Sequence, residues 1–182
     1  MAFASKYPGM LFFASCAALC ASALAGGGCV ATSTIEFDSA QNYPPSVVSE
    51  PNSEYPLNRI GQLNLDDPVE TPELPLEVII RDPNVDQTLD YRMFLNSPPA
   101  PDVPFNSGEV PPEGFVERPS VFFVPYDLLE AGRCHRIELV VVGEFDSFVE
   151  PRRPAEEGDF DDATWWVEVT DAANPVIVEQ CR

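Results

Sequence analysis

Leu128-Leu129-Glu130-Ala131-Gly132-Arg133-Cys134-His135-Arg136-Ile137-Glu138-Leu139-Val140-Val141-Val142 is the stretch whose reading decides the fold. Asp127 to Glu130 has the cap-and-return spacing of a single helical turn, and Gly132 supplies the left-handed residue that can end it. A strand follows at once. From His135 to Val142 the apolar side chains alternate, with Ile137, Leu139 and Val141 on one face, as a half-buried strand requires.

The same signal recurs on both sides. Leu76-Glu77-Val78-Ile79-Ile80-Arg81 puts Leu76, Val78 and Ile80 on one face, and Asp82-Pro83-Asn84 turns the chain. Leu89 to Leu95 alternates, with Leu89, Tyr91, Met93 and Leu95 inward and Asp90 and Arg92 outward. Residues 97 to 119 read as one long Pro-rich loop. Ser120-Val121-Phe122-Phe123-Val124 is a further strand ended by Pro125, and Thr164-Trp165-Trp166-Val167-Glu168-Val169 is the last. Twenty prolines argue against long helices. Short strands separated by turn signals predict an all-β sandwich or barrel.

The amino terminus predicts export. Lys6 is followed by an apolar run from Met10 to Leu24 and by Ala25-Gly26-Gly27-Gly28-Cys29, the layout of a signal peptide over residues 1 to 28. The run is about 15 residues, short of the roughly 20 needed to span a bilayer. Ala23-Leu24-Ala25 offers one cleavage site. Cleavage before Cys29 is the other, and the resemblance to a bacterial lipoprotein signal implies a lipidated Cys29. The lipoprotein Leu-Ala-Gly-Cys pattern is interrupted here by two extra glycines. Residues 29 to 56 are polar and Pro-broken and read as a tether, with an edge strand near 46 to 50. The sandwich is expected over 57 to 182.

Charge bounds the partners. The chain carries 30 acids against ten basic residues, a net charge of −20. Such a polyanion does not track nucleic-acid phosphates and is repelled by anionic headgroups, so the expected membrane contact is through acyl chains on Cys29. The acidity serves solubility, or a cation, or a basic partner.

At this point a family likeness is visible. Val78-Ile79-Ile80-Arg81-Asp82-Pro83-Asn84 with Leu89-Asp90-Tyr91 resembles the B strand, turn and C strand of immunoglobulin-like domains of the fibronectin type III, PKD and cadherin-like sort. Leu128 to Ile137 resembles their E–F corner, and Trp165 to Val169 their G strand. The resemblance implies an antiparallel sandwich that binds, spaces or assembles and does not catalyse. Strand B lacks the cysteine of the usual inter-sheet bridge, and His135 stands where a corner tyrosine is common.

With Cys29 assigned to lipid and Cys16 and Cys20 inside the signal, Cys134 and Cys181 remain as a pair. An exported chain oxidises them by default. If strands F and G are antiparallel, the tail returns to the start of F, and alternation puts the bridge outside the core.

Chemistry is poorly supplied. His135 is the sole histidine, and its strand neighbour Cys134 points to the opposite face, so no dyad forms. No catalytic residue and no resident cofactor are expected. Asp82, Asn84 and Asp86 present oxygens at alternate positions, a weak Ca2+ pattern without an EF-hand's glycine and closing glutamate. Glu156 to Asp162 is a second acidic loop. A third patch is the outer face of strands C, F and G, where Trp166, Arg92, Arg136 and Phe94 form a candidate binding face. The expected function is a lipid-anchored binding or structural module at a bacterial outer membrane or cell surface, with an envelope protein or glycan as partner. The alternative is a calcium- or carbohydrate-binding accessory domain.

Overall fold

The computed structural model describes residues 42–67, 72–96, 102–177 and 181. The signal sequence, Cys29 and the start of the tether lie outside the described residues. Among the described residues the chain forms eight strands and one 3-10 turn: β1 Ser46–Ser49, β2 Ile60–Asn64, β3 Glu73–Arg81, β4 Leu89–Leu95, β5 Asn106–Val110, β6 Glu117–Pro125, the turn Tyr126–Leu128, β7 Arg133–Val142 and β8 Phe160–Thr170.

The strands make two sheets, ordered β1-β3-β6 and β2-β8-β7-β4-β5. This is an all-β sandwich. The B-like strand β3 pairs with β6 in one sheet, while β4, β7 and β8 sit together in the other, the division that immunoglobulin-like sandwiches make. All pairings are antiparallel except β2 with β8, which is parallel.

Alternation builds the core. Leu74, Leu76, Val78 and Ile80 of β3 face Ile137, Leu139 and Val141 of β7 and Trp165, Val167 and Val169 of β8 in one cluster. Trp165 is buried, and its indole N–H donates to the Tyr55 carbonyl at 2.9 Å. Tyr55 lies on Gly61, where an added Cβ would meet its ring at 2.6 Å. Val47 and Tyr55 belong to the same core, so packed structure is present upstream of residue 57. Gly132 has φ +82 and ends the E–F turn in the left-handed region.

The segment 97–119 is not a single loop, because β5 and the first residues of β6 lie within it. Its Asn106-Ser107-Gly108-Glu109-Val110 strand is polar and mostly exposed at a sheet edge, so it buries too little to leave an apolar alternation.

The prolines of the small sheet follow hydrogen-bond parity. Asp82 N–H donates to the Val116 carbonyl at 2.8 Å, and Tyr126 N–H donates to the Pro72 carbonyl at 3.0 Å. Even-numbered residues of β6 therefore bond to β3, and Glu117, Pro119, Val121, Phe123 and Pro125 turn their backbone groups to the open edge. Pro119 and Pro125 fall where no ladder needs an N–H.

Cys134 and Cys181 form a disulfide with Cα atoms 5.3 Å apart, within the normal span. Cys134 is on the outer face of β7, opposite Ile137 and Leu139, so the bridge fastens the tail outside the core.

Candidate functional site

The connection between β7 and β8 is a built flap. Phe145 bridges to Pro154. Asp146 N–H donates to the Arg153 carbonyl at 3.1 Å, and Ala155 N–H to the Glu144 carbonyl at 2.8 Å. Residues 144 to 155 thus form a short hairpin-like projection folded over the outer face of the large sheet. Under it Phe94, Val140, Val142 and Phe145 make a second, smaller core.

Arg92 is the keystone of this flap. It projects from the outer face of β4, yet it is 5% exposed. Its Nη1 donates to the Ser147 and Pro151 carbonyls, both at 2.9 Å. Its guanidinium lies 3.9 Å from the Phe145 ring centroid and 4.4 Å from that of Phe148. Burial pushes its pKa below the ordinary arginine value, against the pull of Asp90. Arg152 adds a second tie: it lies 3.9 Å over the Phe94 ring, pairs with Glu138, and donates to Asp102 at 2.6 Å.

The apex is apolar and wet. Phe148 is 80% exposed and Val149 is 91% exposed. Leaving two such side chains in water forgoes roughly 1.5 to 3 kcal/mol each relative to full burial. The flap's second limb lines a half-open cleft of about 430 Å³ with Arg153, Pro154, Ala155, Glu157, Gly158 and Phe160. Arg153 bonds Glu150 at 2.8 Å and faces Asp146 at 3.6 Å. The Glu150 bond and these charges raise its pKa.

The candidate binding face read from alternation is therefore divided. Arg92 and Phe94 do point outward, but the flap covers them, and they hold the flap instead of forming an exposed face. Trp166 and Arg136 are half-buried partners in register across β8 and β7, with Ile60 beside Trp166 on β2. Nothing in the outward parity of Arg92 foretold its cover, because residues 143 to 159 carry no periodicity. The available signal was Phe145-x-x-Phe148-Val149, three apolar residues amid acids, arginines and prolines.

Asp82, Asn84 and Asp86 do not converge. Asp82 Oδ2 accepts from Arg118 Nη2 at 2.7 Å, and its Oδ1 accepts from Asn84 N–H at 2.8 Å. Asn84 gives its carbonyl to Arg118, and Asp86 is exposed. Among the described residues no group of three or more His, Cys, Asp or Glu is arranged to hold a metal ion. Of the second acidic loop, Asp159 is buried and Asp161 accepts from Val47 N–H at 2.7 Å, while Glu156 pairs with Asn42.

His135 is occupied as a corner residue. Asn96 Oδ1 accepts from Arg136 N–H at 2.9 Å, which turns the Asn96 amide N–H toward His135 Nδ1 at 3.0 Å. His135 Nε2 lies 2.9 Å from the Glu130 carbonyl and 3.0 Å from the Glu130 N–H. The imidazole is 3% exposed, and it ties the strand to the E–F turn.

No protein-family model matches the chain, and no curated protein matches it. Among solved structures, the chain is similar to the CARDB domain of the PF1109 protein from Pyrococcus furiosus, which was solved in complex with di-metal ions. The identity is 13%, the match covers 76% of this chain and 98% of that one, and the TM-score is 0.42.

Proposed function

We propose that this chain is a non-enzymatic recognition module, exported and held by acyl chains on Cys29 at the outer membrane or surface of a bacterial envelope, and that it contacts an envelope protein through the β7–β8 flap. One observation carries this reading: Phe148 and Val149 stand almost fully in water on a flap that buried Arg92 holds in one shape. A pre-ordered aromatic anchor loses little entropy on binding, which is what a hot spot needs. The disulfide supports an oxidising compartment. His135, with both ring nitrogens engaged and little exposure, leaves no free base for nucleophilic catalysis.

The test is a photo-cross-linking amino acid placed at position 149 in the full chain in its own cells, with position 107 on exposed β5 as control. A defined protein adduct from 149 that is absent from 107 supports the reading. Equal labelling from both positions, or none from 149, refutes it. Mass spectrometry of the mature amino terminus tests the anchor, since an unmodified terminus at Gly26 would exclude lipid on Cys29.

A further inference from the structure

The flap and the start of β8 carry an uneven charge. Residues 143 to 162 hold eight of the chain's 30 acids within 20 of its 182 residues, so their density exceeds the general acidity of the molecule. Six of them, Glu144, Asp146, Glu150, Glu156, Glu157 and Asp162, are exposed. The arginines of this region are occupied. Arg92 is buried under the flap, and Arg152 turns in over the Phe94 ring towards Glu138 and Asp102. Arg153 is exposed, but Glu150 and Asp146 hold it at 2.8 and 3.6 Å. Glu144, Glu157 and Asp162 have no ion pair among the described residues. Phe148 and Val149 therefore rise from a surface whose unbalanced charge is negative. Phe160, 44% exposed, continues that surface into the cleft with Glu157.

We infer that the partner presents an apolar pocket rimmed by lysine or arginine, so that Phe148 and Val149 enter the pocket while the acids of the flap meet its rim. The inference rests on the flap being the recognition surface and names the chemistry of what it recognises. In such an arrangement the apolar centre supplies affinity, and the charged border supplies the rate of encounter and the rejection of wrong partners. An acidic partner would bring like charges together around the apex as it closed. A second copy of this chain is such a partner, since it carries the same acids around the same apex and a net charge of −20. An anionic lipid surface is repelled for the same reason.

The test uses the full chain in its own envelope, with the photo-cross-linking amino acid at position 149. Glu144→Gln, Glu157→Gln and Asp162→Asn together remove three charges and leave Arg153 its partners. The yield of the protein adduct should fall severalfold, because border charges act on encounter. It should also fall in the parent when salt in isolated envelopes is raised from about 0.1 M to about 1 M, which shortens the screening length from about 10 Å to about 3 Å. Glu73→Gln, Glu77→Gln and Glu117→Gln, on the outer face of the opposite sheet, should leave the yield unchanged. Amide exchange at Asp146 and Ala155 checks that the neutralised flap keeps its shape, and the salt arm needs no variant if it does not. A protein adduct whose yield resists salt and neutralisation overturns the basic rim and leaves the flap as a recognition surface. A lipid adduct, or an adduct with a second copy of this chain, overturns the partner assigned here. No adduct from position 149 in the parent removes the recognition reading itself, and this inference with it.

Discussion

Arg118 Nη2 lies 2.7 Å from Asp82 Oδ2, with 1% and 0% of the two side chains exposed. The pair closes the turn between β3 and β4. Arg118 also donates to the Gln87 carbonyl at 2.8 Å and the Asn84 carbonyl at 3.0 Å. One guanidinium from β6 thus templates the whole turn, using the carbonyls that an Asx-type loop would otherwise leave buried. Burial outweighs both the Arg118 charge and the Asn84 N–H, so the Asp82 carboxyl titrates above the usual carboxylate range.

Removing one partner strands the other charge. Asp82→Ala is expected to cost about 3 to 5 kcal/mol, measured by denaturant unfolding. Replacing both, as Asp82→Leu with Arg118→Met, should cost less than the single change. A single variant within about 1 kcal/mol of the parent would mean that water reaches the pair and the site is not dry.

The disulfide predicts a different kind of loss. Cys134→Ala with Cys181→Ala should leave the sandwich folded, because the bridge is outside the core. The loop it closes separates the cysteines by 47 residues, worth about 4 kcal/mol in the chain-entropy account. Non-reducing peptide mapping should recover one linked pair. A steeper denaturant slope in the variant would place the effect in the unfolded chain, which exposes more surface once the cross-link is gone.

The parts of this molecule that the sequence disclosed are those with a period. Ile137, Leu139 and Val141 announce both a strand and its buried face, and Leu76, Val78 and Ile80 do the same. Parity also sends Trp165 inward and Trp166 outward, as observed. Polar edge strands escaped: β5 has one buried side chain, Val110, and β2 pairs in parallel with β8 across more than 100 residues of sequence. Arg118 and Asp82 are 36 residues apart, and no local pattern joins them. The acids of the 82–86 turn suggested calcium because spacing reports which oxygens are near in sequence. It does not report that an arginine has already claimed one of them, Asp82.

Tyr55 gives the fold an alkaline limit. It is 6% exposed, and burial, helped by Glu54, Tyr126 and Asp67, pushes its phenol up to about 12 from an ordinary 10.0. A raised folded pKa means that the native state holds its proton longer than the unfolded chain does. That stability is complete below pH 10 and is lost as pH rises towards about 12. Two pKa units correspond to roughly 2 to 3 kcal/mol. Tyr55→Phe should flatten the fall of the unfolding midpoint in that window while leaving neutral stability nearly unchanged, since the hydroxyl is 3.5 Å from its acceptor, Gln62 O. An equally steep fall in Tyr55→Phe would assign the alkaline transition to Tyr126 or to general charge.

Arg92 decides whether the flap is an ordered projection or a loose loop. Arg92→Met keeps the length and apolar stem but removes two charge-assisted bonds, to Ser147 O and Pro151 O, and the cation between Phe145 and Phe148. The expected cost is about 3 to 6 kcal/mol, because the two hydrogen bonds from a charged donor are worth roughly 1.5 to 3 each, while methionine still packs on the rings. The location of the loss is more telling than its size. Asp146 and Ala155 amides, which close the flap on Arg153 and Glu144, should exchange faster. Amides of the β7 ladder with β8, such as Val141 with its partner Asp161, should not change. Cross-linking from position 149 should weaken in the same variant, since an anchor that must be ordered at the moment of binding pays entropy that a held one does not. Unchanged exchange at Asp146 would mean that Phe145 burial and the Arg152 ties hold the flap alone, and Arg92 would then be a charge buried without that purpose.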